Sequence, residues 1–319
     1  MPLPYWLRLL CLSLAAGAAV YAAAAAALAA AAPWARKRAE QAAPDLAANA
    51  LFFLRVAPLL CALAGVAALC LPSYLWLEPS GREQVGFGLL LAALAGAALA
   101  ALASARVVRA AWSTAVFLRA CRRRGRAQRL AGQDLLLLPP PAPSLALAGF
   151  FRARVLVSER AWRGLSPAQL DAGVAHERAH FRARDNWRRL LLLAVPLPGR
   201  RSEEIARAWS RCSEYAADDR AVAGCPDRSL TLASALLAVA NLGVAAPAPA
   251  ALSCLLPPLR SSRELAARIE RLLQPPAPAP HHRTGRIAWL LAGSVALIAL
   301  MLQPATLMAA HRILEHLAR

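Results

Sequence analysis

Two imidazoles and a carboxylate stand together in the run His176-Glu177-Arg178-Ala179-His180, at a spacing that neither packing nor solubility demands. On a helix of 3.6 residues per turn, positions i and i+4 lie roughly 40° apart around the axis, so both rings point the same way and can hold one metal ion. Glu177 follows the first imidazole and brings a carboxylate within reach of a water on that ion. Two ligands and a general base in this order form the HExxH arrangement of metal-assisted hydrolysis. The same five letters also arise by chance in an exposed charged helix turn. The chemistry therefore needs a third protein ligand from elsewhere and an open fourth position for water.

Ser213-Glu214-Tyr215-Ala216-Ala217-Asp218-Asp219 offers that ligand, with Glu214 as the natural donor. Asp218 lies one helical turn further on and faces the same side. There it can accept the free ring N–H of a ligating histidine, with His176 the preferred partner, and so fix the tautomer. For either carboxylate alone, a solvated acidic helix face is the plainer reading. Zinc, one ion per chain, is the expected cofactor, although imidazole and carboxylate suit other first-row metals too.

The elements that position these groups are legible in outline. Ser166-Pro167 opens the zinc helix as cap and first-turn proline, with Gln169 placed as in a capping box. Glu203 to Gly224 reads as the Glu214 helix, ending at a glycine with Pro226 just beyond. Between them, LLLLAV at 190–195 is too short to cross a bilayer and suits an apolar segment lying against it. Residues 134–138 and 150–157 read as short strands, and the second is a candidate edge for pairing with an extended substrate or, more plainly, a structural hairpin strand. The stretch 229–256 is apolar, but its prolines favour a core helix and a loop over another span.

The run LSPAQLDAGVAHERAHFRARDNWRRLLLL, with CSEYAADDRAVAG after it, resembles the BlaR/MecR-type membrane metallopeptidases, and more distantly the HtpX and CAAX-protease types. The matching features are the Ser-Pro helix start, Arg-x-Arg-Asp-Asn after the second histidine, and the ExxxD element. The resemblance covers roughly 117–273. It implies a gluzincin: a zinc endopeptidase in which His176, His180 and Glu214 hold the metal, Glu177 is the catalytic base and Asp218 supports a ligand. It also implies that Arg268, in the basic helix after the core helix, stabilises an oxyanion. A surface helix in which Glu264 pairs with Arg268 at i,i+4 is the plainer reading of that arginine, and the preferred one. No penicillin-binding domain follows the last apolar segment, so β-lactam sensing by such a domain is not expected.

A hydrophobic content of 59% and a mean hydropathy of +0.43 place the chain among membrane proteins. Apolar stretches long enough to span, about 20 residues each, run at 9–32, 56–77 and 85–105, with a fourth at about 287–303. The first exceeds a signal-peptide core and reads as a retained anchor. Arg36, Lys37 and Arg38 follow the first span and a long arginine series follows the third, whereas the loop 78–84 has little positive bias. By the positive-inside rule the N-terminus and that loop face out, and the zinc domain faces the cytoplasm. The net charge of +19 is then explained by the bilayer rather than by nucleic acid, since CRRRGRAQR at 121–129 lacks aromatic interleaving.

The seven cysteines show no paired spacing, so a disulfide framework is not expected. His281, His282, His311 and His316 lie outside the motif; the first pair reads as a solvated turn and the tail as an interfacial helix.

The expected fold is a mainly α membrane protein: about four transmembrane helices plus a cytoplasmic α+β zincin-like metallopeptidase domain with a small β-sheet. The expected organisation is a membrane region at 1–116, a catalytic domain at 117–275, and a linker, last span and tail at 276–319. The expected activity is endoproteolysis at the bacterial inner membrane, on a protein substrate such as a transcriptional repressor or the chain itself. A quality-control protease and a non-catalytic zinc scaffold are the alternatives; Glu177 speaks against the scaffold, because a closed structural site needs no base.

Overall fold

The computed structural model describes residues 4–77, 86–130, 132–151, 153–197, 199–223, 225–242, 253–254 and 262–274, and a few positions beyond 302. The expected fourth span, the loop 78–84, the linker at 275–282 and most of the tail lie outside the described residues.

Three long apolar helices form the first part. Helix α1 runs Tyr5–Glu40; α2 (Pro44–Gly65) continues through a wide π-helical turn (Val66–Cys70) into α3 (Leu71–Leu77); α4 runs Phe87–Arg124. At 1.5 Å per residue, the 36 residues of α1 extend about 54 Å and the 38 of α4 about 57 Å, well beyond a hydrocarbon core of about 30 Å. The helices therefore overrun the expected spans at their basic ends. Charge does not stop a helix there; it marks where the helix leaves an apolar environment. Exposed tryptophans lie near both ends of α1, Trp6 and Trp34, and others at the end of α3, Trp76, and on α4, Trp112. Trp6 and Trp34 share one helix and lie about 42 Å apart along it, the separation of two membrane–water interfaces. Where α1 crosses α4, Gly96 brings the backbones so close that a Cβ there would lie 2.3 Å from the Leu14 carbonyl oxygen.

A five-stranded mixed sheet follows: β1 (Arg126–Leu130), β2 (Gln133–Leu138), β3 (Leu145–Ala148), β4 (Arg154–Ser158) and β5 (Ser253–Cys254), in the order β1-β2-β4-β3-β5. Strands β2 and β4 are parallel, and the other pairs are antiparallel. Side chains alternate between the faces. Leu135, Leu145, Leu147, Val155 and Val157 share a core with Leu170 and Val174 of the helix that carries both histidines, while Leu136, Leu138, Ala146 and Leu156 meet Phe117, Leu118 and Cys121 of α4.

The placement of β4 corrects one expectation. It begins at Arg154, not at residue 150, and it lies between β2 and β3, so its backbone groups are already paired and it is no edge for a substrate. Strand β3 packs against the HExxH helix, and its side away from β4 is taken by residues 253–254 of the same chain.

Six helices complete the described chain: α5 (Glu159–Gly164), α6 (Pro167–Arg182), α7 (Asp185–Leu193), α8 (Arg200–Val222), α9 (Pro226–Asn241) and α10 (Ser262–Leu273). Ser166 and Gln169 close a reciprocal capping box on α6, with Pro167 at its first position. Helix α8 ends earlier than Gly224, with Ala223 in the left-handed conformation at φ 47°. One face of α8, with Ile205, Ala208, Trp209 and Cys212, packs into a shared core with Ala48, Leu51 and Phe52 of α2. Polar contacts reinforce this junction: Arg36 donates to Glu204 at 3.0 Å, Arg188 to Asn49 at 2.7 Å, Arg55 to the Val195 carbonyl at 3.1 Å, and Arg220 pairs with Asp45. The α1–α2 turn and helices α7 and α8 are thus packed together.

Candidate metal centre

Helix α6 aims its inner face at α8. His176, Glu177 and His180 on α6 are fully buried, as is Glu214 on α8, and Asp218 is nearly so. The i, i+4 spacing brings His176 Nε2 and His180 Nε2 to 3.1 Å from each other. Glu214 closes the triangle, with Oε2 3.5 Å from His176 Nε2 and Oε1 3.8 Å from His180 Nε2. A tetrahedral ion with bonds of 2.0–2.1 Å requires donor–donor separations of about 3.3 Å. The three donor atoms, all within 4.8 Å of one another, therefore fit one small divalent cation with little adjustment.

Each imidazole is oriented through its other nitrogen. His176 Nδ1 lies 2.8 Å from Asp218 Oδ1, and His180 Nδ1 lies 2.6 Å from Asp185 Oδ2. With both Nδ1 atoms held by carboxylates, both Nε2 atoms are left to face the shared point. Asp218 is gripped in turn by Arg268, whose Nε and Nη2 donate to its two oxygens at 2.9 and 2.6 Å. Asp185 also accepts from Ser213 Oγ at 2.9 Å.

Asp185 was not foreseen as a partner. It reaches His180 because Arg184 adopts the left-handed conformation at φ 56°, which breaks the helix and turns Asp185 back beneath the ring. Next to it, Asn186 donates to the carbonyls of Leu147 and Gly149 at 3.1 and 3.0 Å, tying the metal helix to β3. The only sequence signal was the pair Asp185-Asn186 following a run of arginines.

Arg268 corrects a second expectation. It is 1% exposed rather than on a surface, and its Nη1 also lies 3.2 Å from Glu214 Oε2. Its guanidinium is committed to the two carboxylates of the ExxxD element. Arg189 of α7 approaches the other oxygen of Glu214, at 3.5 Å.

The electrostatics follow from burial and pairing. Burial raises the Glu177 carboxyl above the usual range, outweighing the pull of His176 and His180, and among the described residues neither of its oxygens has a hydrogen-bond partner. Burial alone would also raise Asp218, but Arg268 and His176 reverse the effect and hold it down at about 2. For His180, burial disfavours the cation, yet Asp185 and Glu214 overcome it and lift the ring to about 9.

Among the described residues, these groups form a pocket of donors lined on both flanks by carboxylates that fix the rings, with a buried carboxyl beside it. Compared with protein-family models, with curated proteins and with solved structures, the chain finds no match.

Proposed function

We propose that the chain is an integral-membrane zinc endopeptidase of the BlaR/MecR type that its motifs resemble. The observation that carries this reading is Glu177: a fully buried carboxyl, with neither oxygen partnered among the described residues, beside three donors that fit one ion. A buried carboxyl with a raised pKa next to such a donor set has the character of a general base. A structural site would need no such group.

His176, His180 and Glu214 would hold the metal. Bound there, zinc supplies Lewis acidity that makes water a nucleophile near neutral pH and polarises a carbonyl. Glu177 takes the proton from the attacking water and returns it to the amine that leaves; its raised pKa suits both halves of that task. Asp218 and Asp185 keep the imidazoles in the tautomer that presents Nε2. Strand β3 packs against α6, and its side away from β4 pairs with a short extended segment, the manner in which a substrate strand would add to the sheet. Residues 253–254 already pair along that side, which supports the chain itself as one substrate beside a second protein such as a repressor.

The membrane reading rests on the three long apolar helices, the exposed tryptophans near both ends of α1 and the arginine-rich ends. Together they favour a multi-pass protein of the bacterial inner membrane with its N-terminus outside and its catalytic part in the cytoplasm. The test is hydrolysis of a casein substrate by full-length protein in detergent. Glu177→Gln should abolish turnover, and His176→Ala or His180→Ala should abolish both turnover and zinc binding. Full proteolysis by any of the three would refute the assignment.

A further inference from the structure

Two arginines address the metal-ligand carboxylate, and they differ in burial and in the oxygen each approaches. Arg268 meets Asp218 through Nε and Nη2 and Glu214 through Nη1, at 1% exposure. Its place is inside the scaffold, behind the ligand. Arg189 comes from α7, on the side of the oxygen that faces His180. Its Nη2 is 3.5 Å from Glu214 Oε1, its side chain keeps 13% exposure, and its guanidinium carbon stands 5.8 Å from the Trp209 ring centroid. It also lies close enough to Glu177 to draw that carboxyl's pKa downward. This cation therefore borders both the ligand carboxylate and the base, and it is less deeply buried than Arg268.

Resting on the peptidase reading, we propose that Arg189, not Arg268, is the catalytic cation that stabilises the oxyanion during peptide hydrolysis. As water oxygen bonds to the carbonyl carbon, the carbonyl π pair moves onto oxygen and Glu177 receives the water proton. The negative oxygen so formed needs a fixed positive donor within a low-dielectric site. A guanidinium has five N–H donors in a planar fork, so engagement of Glu214 through one nitrogen is compatible with donation to this oxygen. When the adduct collapses, the C–N bond breaks and the proton passes from Glu177 to the amine. The Trp209 face, fixed in the core shared by α8 and α2, sets the plane of the fork.

The experiment compares zinc-loaded full-length wild type, Arg189→Gln, Arg189→Lys and Arg268→Gln in detergent. The readouts are zinc content, turnover of quenched fluorescent casein, and inhibition by a phosphinic pseudopeptide whose tetrahedral P–O⁻ mimics the adduct. Arg189→Gln should retain one zinc and the wild-type KM while kcat falls about 100-fold, with phosphinate affinity falling by a similar factor. Arg189→Lys should recover part of both. Arg268→Gln should instead lose zinc. Wild-type kcat in Arg189→Gln, or a loss of kcat that tracks loss of zinc, overturns the assignment while leaving the peptidase reading intact. A wild-type protein that hydrolyses nothing overturns the peptidase reading and this assignment with it.

Discussion

Replacing Asp218 by Asn removes one negative charge from the middle of the His176–Asp218–Arg268 chain while keeping the side chain's shape. The carboxylate is held at about 2 against an ordinary value of 3.8, so the folded protein favours its charged form by on the order of 2 kcal/mol. With the pKa depressed on folding, this contribution is complete above about pH 4 and fades as pH falls toward 2, so at neutral pH all of it is at stake. The loss is felt by both partners of Asp218. Arg268, at 1% exposure, gives up the bidentate pairing that causes most of this depression, and breaking a buried pair by removing one partner costs about 3–5 kcal/mol. His176 loses the acceptor that selects its tautomer, which typically costs 10- to 100-fold in metal affinity. Asp218→Asn should thus lower the melting temperature by several degrees and weaken zinc by about 10- to 100-fold. Competitive chelator titration beside thermal melts, in metal-free and zinc-loaded protein, reads both quantities. Wild-type zinc affinity in Asp218→Asn would refute the role given to this carboxylate.

Other perturbations probe other parts. His180 stands at about 9 without metal, so at pH 7 it carries a proton that a ligand must displace; calorimetry in buffers of different ionisation enthalpy should find about one proton released from it per zinc. In metal-free protein the same raised pKa contributes stability that is complete below pH 6.5 and lost as pH rises through 9, so apo melts should decline across that window. Trp209→Ala empties a core position on the helix that carries Glu214; it should cost about 3–5 kcal/mol and reduce zinc occupancy, whereas Trp209→Phe should keep the metal. Gly96→Ala should destabilise the α1–α4 crossing by about 1–3 kcal/mol, whereas Gly88→Ala, which meets nothing within 4 Å, should be neutral in the same detergent melts. In nanodiscs, headgroup-level quenchers should reach both Trp6 and Trp34, and quenchers at the bilayer centre should reach neither.

The parts readable from sequence were those governed by local rules. The capping box, the first-turn proline and the i, i+4 histidines depend only on neighbours along α6, and the apolar runs announce the long helices by composition alone. What escaped depends on contacts made across the fold. Strand β1, Arg-Ala-Gln-Arg-Leu, is largely exposed at the edge of the sheet, so it carries no alternation and reads as a basic tail to the third span. Strand β3 is buried at all four positions, and four apolar residues beside prolines have no period to detect. The Asp185–His180 contact depends on one left-handed residue, Arg184, which no local propensity favours. Arg268 looked like a surface residue because arginine usually is one. Only the convergence of Asp218 and Glu214 offsets the cost of burying it.

The most direct measurement is X-ray absorption at the zinc edge, with metal content, on full-length wild type and Glu214→Gln. Wild type should contain one zinc with two imidazole nitrogens and low-Z oxygen neighbours, and Glu214→Gln should lose most of that metal. A stoichiometric zinc bound by sulfur, or an unchanged spectrum and occupancy in Glu214→Gln, would contradict the convergence of His176, His180 and Glu214 on one ion.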